Sequence, residues 1–593
     1  MGPGIGTPSV LGVVCVLLAL LASACSETPS SPLSDSGASG GSDRSVGSTG
    51  RSSADASGDG GSGGAASLGD ASGLGGSTGT GGTTNEVDGG PGAPLPAAPS
   101  CAEAGGSANV TRPELLLTLY DRWDEGWLGS AAVADLDRDG RNEIVLPRGN
   151  KLYAFNDDAT IRWKVEGLPG RIWASPVVAD FRGDAALEVA FASRGEIHMV
   201  DADGDSLSGF PVEWINEMRS IGAGDVDGDG RLDIVVATTR GGGGKDVVSA
   251  FDANGVRLAG FPPIASGASG CEIDDRCYLA GAFDQNVGVG DLDDDGSAEI
   301  VVPQDNAYTG IYRGTGEVLD THTDFPSAKV LGVRYLHDLA LAQQGYPDRD
   351  ADLQAHFTNT APAIADIDGD GSYEIMMLGS VQNAAQDSRL QGVALWGIRS
   401  DASRLRGFEA PLHVPEYLSG LWDYGSNIVA ISCQVSVADI DAASAGLELI
   451  FPGFDGQIHA VGATGAPLWQ YRYTSSDSVM TGGVVVGDLS GDGSPEIVFN
   501  TYSTDNGRGA LVILDAAGTL QHEIPLPRRG AMAVPTLADV DGNGEIEILV
   551  SLKDAEDRVE SALVYTVPGS SDDCLLWPTG RANLLRNGWV RRQ

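Results

Sequence analysis

Eight times along its length the chain crowds acidic residues into a tight turn and then runs into an apolar strand. The clearest copy is "DVDGDGRLDIVV", residues 225–236, with four carboxylates (Asp225, Asp227, Asp229 and Asp233) in nine positions. Such a cluster repels itself unless a cation sits within it. "DLDRDGRNEIVL" starts at Asp135, "DLDDDGSAEIVV" at Asp291, "DIDGDGSYEIMM" at Asp366, "DLSGDGSPEIVF" at Asp488 and "DVDGNGEIEILV" at Asp539. Two worn copies, "DFRGDAALEVAF" at Asp180 and "DIDAASAGLELIF" at Asp439, fill the gaps, giving start-to-start spacings of 45, 45, 66, 75, 73, 49 and 51 residues. A solvated acidic turn has no reason to recur in phase, so the recurrence defines a repeat architecture.

The unit reads as strands and turns. In "RSIGAGDVDGDGRLDIVVATTRGGGGKDVVSAFDANGVRLAGFPPI", from residue 219, "IVVAT" and "VVSAF" are β-branched and apolar, and "DANG" is a hairpin turn. The same grammar recurs in "GEIHMVDADGDSLSGFPVE" from 195 and "GQIHAVGATGAPLWQYRY" from 456. Four short antiparallel strands per repeat predict an all-β β-propeller, since a blade buries its faces only between neighbours and ring closure protects its edges. Eight acidic loops favour eight blades; seven is the alternative if one worn copy is not a full blade. The C-terminal "CLLWPTGRANLLRNGWVRR" has no acidic loop and reads as part of the closing strand set.

The loop suits Ca²⁺, which takes six to eight hard oxygens at flexible geometry. Acids at positions 1, 3 and 5 point inward, glycine at position 6 permits the turn, a carbonyl near position 7 adds a ligand, and the acid at position 9 closes the site. The set holds no His or Cys, which argues against zinc; Mg²⁺ and Mn²⁺ are alternatives. Five loops keep side-chain oxygens at positions 1, 3, 5 and 9. They are Asp135, Asp137, Asp139 and Glu143; Asp225, Asp227, Asp229 and Asp233; Asp291, Asp293, Asp295 and Glu299; Asp366, Asp368, Asp370 and Glu374; and Asp539, Asp541, Asn543 and Glu547. The loop of Asp488, Ser490, Asp492 and Glu496 has a hydroxyl at position 3 and is expected to bind more weakly. Arg182, at position 3 of its loop, is expected to replace the cation against Asp180, Asp184 and Glu188; the Asp439 loop, which loses its position 5 acid, is expected to hold none. The expected role of calcium is structural, with metal binding coupled to folding.

The copies resemble the FG-GAP/VCBS repeats of integrin-α-type propellers, in the pattern D-x-D-x-D-G-x-x-[DE]-[ILV], over about residues 125–575. The Phe-Gly and Gly-Ala-Pro strings of the family name are mostly missing; small residues precede the loop instead, as in "GSAAVAD", "SIGAGD" and "NVGVGD". The resemblance implies a calcium-binding propeller and no close kinship with integrins.

Before the repeats, residues 1–24 read as a signal peptide, and "LASAC" resembles a bacterial lipoprotein signal with Cys25 as the lipid-bearing residue. Ala22 stands where Leu is usual and the first ten residues carry no Lys or Arg, so ordinary cleavage and secretion is the alternative. Residues 25–100, rich in Gly, Ser, Ala and Asp, are expected to be a disordered tether reaching roughly 50 Å, and 101–593 the folded propeller. Export permits disulfides. "CEIDDRC" suggests a Cys271–Cys277 bridge; Cys101 and Cys574 lie at the two ends of the folded region, where a bridge would staple it shut, a pairing the sequence leaves open. Cys433, in an alternating apolar run, is expected to be a buried thiol.

With 82 acidic and 37 basic residues, a net charge of −45, the chain is unsuited to nucleic acid or an anionic membrane face. Membrane contact is expected only through the lipid, and the chain is expected to be monomeric. No nucleophile elbow or phosphate-cradling loop occurs, and His198 and His459 occupy equivalent strand positions. The leading reading is therefore a surface-tethered module that binds an extracellular protein or glycan, with no catalytic residue. The alternative is a carbohydrate-active enzyme, since some polysaccharide lyases look like calcium-loaded eight-bladed propellers. It would draw on Tyr308, Tyr312, His322, Arg334, Tyr335 and His337, from the long insertions at 261–290, 301–362 and 376–432.

Overall fold

Each repeat forms a sheet whose inner strands are too apolar to face water. In the computed structural model the Asp135 repeat makes four antiparallel strands in chain order, Ala132–Ala134, Glu143–Arg148, Lys151–Phe155 and Ile161–Val165. The first two are buried at every residue, the third at all but its first, and the fourth only at Trp163. Continuous apolar runs without alternation belong to strands covered on both faces, and here the neighbouring sheets provide the cover.

The structure describes Cys101 and residues 106–592, apart from 122–123, 240–246, 263–281, 283–286, 305–307, 320–321, 323–330, 333–353, 358, 383–390, 419–420, 425–426, 431–432 and 555–559. Eight sheets follow one another, with first strands Ala132–Ala134, Val177–Ala179, Met218–Gly224, Gly288–Gly290, Ala363–Ala365, Ser436–Ala438, Val485–Gly487 and Thr536–Ala538. Each first strand touches the next, and the last touches the first, so the sheets close into an eight-bladed β-propeller. Seven blades is ruled out because both worn repeats, at Asp180 and Asp439, form complete four-stranded sheets.

The ring is sealed from its N-terminal side. Glu114–Tyr120 pairs antiparallel with Glu560–Thr566 and supplies the outer strand of the last blade. The C-terminal segment is therefore not part of the closing strand set, contrary to the sequence reading. It runs instead through the centre of the ring. Trp577 exchanges both backbone hydrogen bonds with Val486, at 2.9 Å each; Leu537, Val178, Ala223, Val289 and Ile364 donate to the carbonyls of Pro578, Leu584, Leu585, Asn587 and Gly588. Gln434 accepts from the Arg581 amide, and the Ala131 carbonyl accepts from Arg586. The segment thus bonds to the inner edge of all eight blades. An inner strand is a sheet edge with unpaired amides and carbonyls, and the segment satisfies them.

The tight approach explains the small residues before the loops. A Cβ on Gly290 would lie 2.9 Å from the Trp589 ring, and one on Gly222 2.9 Å from the Arg586 carbonyl. Arg581 and Arg586 are fully buried, and burial pulls both guanidinium groups below their usual range, with Arg586 adding repulsion for Arg581. Arg586 donates to Pro176, Gly580 and Ala131 carbonyls and to the Thr579 hydroxyl at 2.8–3.0 Å. The segment begins at Cys574, which is disulfide-bonded to Cys101 across 473 residues of sequence; loss of such a bridge costs roughly 2–4 kcal/mol.

Replacing Arg586 with Met keeps the stem and removes four buried hydrogen bonds, and the Pro176 and Gly580 carbonyls lose their guanidinium donor. We expect a loss on the order of 3 kcal/mol in equilibrium urea unfolding; an unchanged midpoint would mean that the segment is not structural.

Candidate metal centres

The acidic loop follows the first strand of every blade, and its geometry is set by its own backbone. In the Asp225 loop, Asp225 accepts from the Gly230 amide at 2.9 Å, Asp227 from Asp229 at 3.2 Å and Asp229 from Arg231 at 2.9 Å. Gly230 sits at φ 84°, which a Cβ would resist. Asp233, at position 9, accepts from the Val226 amide at 3.0 Å. This last bond recurs in all eight loops at 2.7–3.0 Å, from Leu136, Phe181, Val226, Leu292, Ile367, Ile440, Leu489 and Val540 to the acid that opens the second strand.

That acid is buried in every blade. Burial, reinforced by neighbouring loop carboxylates, raises Glu143, Glu299, Glu374 and Glu547 to about 7 and Asp233 and Glu496 to about 8. One oxygen of each takes the amide. Among the described residues, the other oxygens of Glu374 and Glu547, and Oδ1 of Asp225 and Asp366, are buried without a hydrogen-bond partner. Unpartnered buried carboxylate oxygens converging on one point suit a hard cation.

In five loops three carboxylate oxygens lie within 4.8 Å of one another: Asp135, Asp137 and Glu143; Asp225, Asp227 and Asp229; Asp291, Asp293 and Asp295; Asp366, Asp368 and Glu374; Asp539, Asp541 and Glu547. Asp139, Asp233, Glu299, Asp370 and Asn543 belong to the same loops outside these triplets. Arginines reach three of the loops: Arg162 meets Asp137 at 2.5 Å, Arg313 meets Asp293 at 2.9 Å, and Arg399 meets Asp368 and Asp370 at 2.8 and 2.9 Å. These clusters are consistent with Ca²⁺ sites.

The other three loops differ. Ser490 turns its hydroxyl onto Asp488 at 3.2 Å, and the Gly106 amide bonds the Gly491 carbonyl, so the N-terminal strand of chain covers this loop, with Asp492 and Glu496 in place around it. Arg182 is exposed and forms no ion pair with Asp180, Asp184 or Glu188 among the described residues, although its charge acts on Glu188; the Asp180 carboxylate is taken up by the amides of Gly183, Asp184 and Ala185. Asp439 is exposed, and its negative charge adds to the burial that raises the Glu448 carboxyl.

His198 and His459 lie in equivalent third strands, stacked on Phe191 and Phe451 at 4.9 and 5.4 Å. Of the lyase candidates, Tyr312 is packed in the core between the Asp225 and Asp291 blades. His322 is half-buried. Arg334, Tyr335, His337, the Tyr308 side chain, the Cys433 side chain, Cys271, Cys277 and Cys25 lie outside the described residues.

The first strand of each blade runs toward its acidic loop, and the strands alternate in direction. All eight acidic loops therefore share one face. The strand ends that flank residues 240–246, 262–287, 333–362, 383–392 and 415–435 lie at the opposite face. That face also holds a group of aromatic and cationic side chains that sequence reasoning missed, since Trp127, Arg171, Trp173, Arg219 and Lys553 come from different repeats and share no pattern.

Residues 219–251 match the FG-GAP repeat family. No curated protein matches the chain. Among solved structures it is similar to the V. cholerae biofilm matrix protein Bap1 (14% identity, 81% of this chain and 96% of that chain, TM-score 0.47). It is also similar to the Bacillus licheniformis rhamnogalacturonan lyase PL11 (14%, 82% and 80%, TM-score 0.44) and to the quinohemoprotein alcohol dehydrogenase of Comamonas testosteroni (13%, 79% and 78%, TM-score 0.44). At these identities the likeness bears on neither ligand nor activity.

The raised acids fix a pH dependence for the calcium-free protein. Between their unfolded values, 3.8 for Asp233 and 4.5 for the glutamates, and folded values of about 7 to 8, the native state holds protons that the unfolded chain releases. Stability from these groups is full below that window and lost as pH rises through it. Calcium-free protein should melt higher at pH 5.5 than at pH 8, and saturating calcium should reverse the order, because the ion needs the ionised acids. Scanning calorimetry at both pH values checks this; the same order in both states would contradict it.

Proposed function

We propose that this chain is a calcium-stabilised propeller that displays a binding face to an extracellular protein or glycan. The observation that carries the reading is the division between the two faces of the ring: acidic loops on one, long connections on the other. Loops on a rigid scaffold are where recognition concentrates. The axis is filled by residues 574–592, which leaves the face and rim for a ligand.

Calcium fits as the fastener. Acidic loops of adjacent blades are bonded to each other, Ala298 to the Asp225 carbonyl, Leu447 to Ile367 and Asn142 to Val540. An ion that stiffens one loop therefore stiffens a blade junction. Export is supported by the Cys101–Cys574 disulfide, a bond that the reducing cytosol disfavours. In this reading Cys25 carries a lipid, residues 25–100 hold the ring off the membrane, and the ring acts as a monomer.

Equilibrium dialysis should find about five calcium ions per chain, one for each three-carboxylate cluster, and Asp227→Asn should remove one. A site with a dissociation constant near 10⁻⁴ M would add ~2.7 kcal/mol at 10 mM calcium, so dialysis to calcium-free buffer should lower the melting temperature markedly. Equal melting temperatures would end the fastener role. Arrays of glycans and extracellular proteins, probed with calcium-loaded chain, test the binding role; silence on both would end it.

A further inference from the structure

On the face opposite the acidic loops, cations gather on two tryptophans near the seam of the ring. Trp127 and Trp173, both buried, meet edge to face with centroids 5.1 Å apart. Arg171 caps the angle between them, its Cζ 3.8 Å from one centroid and 4.6 Å from the other. Lys553 lies 3.3 Å over Trp127 and Arg219 4.0 Å over Trp173. Two of these cations are balanced: Lys553 by Glu125 at 3.1 Å, and Arg219 by Glu217 at 2.9 Å, which also accepts from Trp173 Nε1.

Arg171 is not balanced. Among the described residues its guanidinium has no hydrogen-bond acceptor and no ion pair, in a chain with 82 acidic residues. The two rings hold it by cation–π attraction and none of its nitrogens is sealed from solvent. A guanidinium fixed by its faces, with its donor edge open, is preorganised for a bidentate oxyanion.

Two residues before it, Pro169 enters the wall of a cavity of about 800 Å³, to which Glu217 also contributes. Arg194, Glu213, Trp214, Asn216 and Thr239 also line it, together with Gly195 and Glu196, whose carboxylate is engaged by His198 at 3.1 Å. Arg194 and Glu213 likewise have no ionic or side-chain hydrogen-bond partner among the described residues. The wall thus offers an unpaired guanidinium and an unpaired carboxylate beside an amide, a hydroxyl and an indole. An acidic peptide or inorganic anion would satisfy the guanidiniums and face Glu213 with like charge. A neutral sugar would satisfy Glu213 and leave the guanidiniums unused. A ligand carrying carboxylates and hydroxyl donors together satisfies both.

We propose that this face binds an acidic saccharide, a chain containing hexuronate units, with carboxylates on Arg171 and Arg194 and hydroxyls donated to Glu213. The inference rests on the binding-module reading and names its ligand class and site.

The test is isothermal titration of the full calcium-loaded chain with uronate oligosaccharides of several linkages. Comparators are the same oligosaccharides with carboxyls reduced to alcohols, and poly-glutamate. We expect at least one uronate oligomer to bind. Arg171→Gln, Arg194→Gln and carboxyl reduction should each weaken it about tenfold, the loss of one bidentate pair. Arg194 is exposed and its variant keeps the test readable should Arg171→Gln disturb the indole packing. Poly-glutamate binding as tightly, no uronate binding, or binding that ignores both arginines would overturn the proposal. A neutral glycan or protein bound equally by both variants would overturn it while leaving the binding-module reading intact.

Discussion

A sheet of three or four short strands has two apolar faces and an inner edge, and it can cover none of them alone. That constraint organises the molecule. The faces are covered by neighbouring sheets, which forces repetition, and repetition with a constant angular step closes into a ring. The outer edge of the last blade is paired by Glu114–Tyr120, so the chain's two ends meet in one sheet. At the same junction buried Arg148 pairs with Asp121 and donates to the Asp124 and Asp554 carbonyls, fastening the first blade to the last. The inner edges remain, eight of them around one axis, and the C-terminal segment takes them.

The acidic loops solve a second problem, the turn from first to second strand. The position 9 acid bonds the position 2 amide even where the rest of the loop has decayed. Glu188 does so beside Arg182, and Glu448 in the lengthened Asp439 loop. The buried acid is thus a turn-former before it is a ligand, which is why the worn repeats still make complete blades. Where Asp or Asn also stands at positions 1, 3 and 5, the same turn gathers three carboxylates within 4.8 Å. The motif therefore combines a local role that every copy needs with a carboxylate cluster, consistent with a cation site, that five carry.

Much of this was legible from residue order. Spacing showed the repeat, the apolar runs showed two-sided burial, and counting donor positions picked out the five loops in which carboxylates converge. What escaped had no periodic signature. "CLLWPTGRANLLRNGWVRR" looked like strand because it is apolar, but its partners are a few groups from each of eight separate repeats, six of the repeats being bonded backbone to backbone. Tyr312 looked available because it sits near a long insertion, yet its strand position buries it between blades. The Trp127–Arg171–Trp173 cluster draws on connections far apart in the chain, each unremarkable by itself. Local chemistry is written in local sequence; contacts made only by closing a ring are not.

The choice of arginine for the channel follows from what lines it. Inner strands present carbonyls to the axis from every side, and a backbone segment passing between them can answer only some. Arg586 answers three carbonyls and a hydroxyl with one planar group, and Arg581 reaches the Ile221 carbonyl. A lysine has fewer donors and no fixed plane, and an apolar side chain would leave the carbonyls bare. Among the described residues no carboxylate bonds either guanidinium; carbonyl dipoles hold Arg586, while Nε and Nη2 of Arg581 are buried without an acceptor. Filling the axis this way costs the ring any through-channel, the site that propellers otherwise have available for a ligand. On the proposed reading, recognition falls to the face beside Arg171, and the opposite face belongs to the acidic loops.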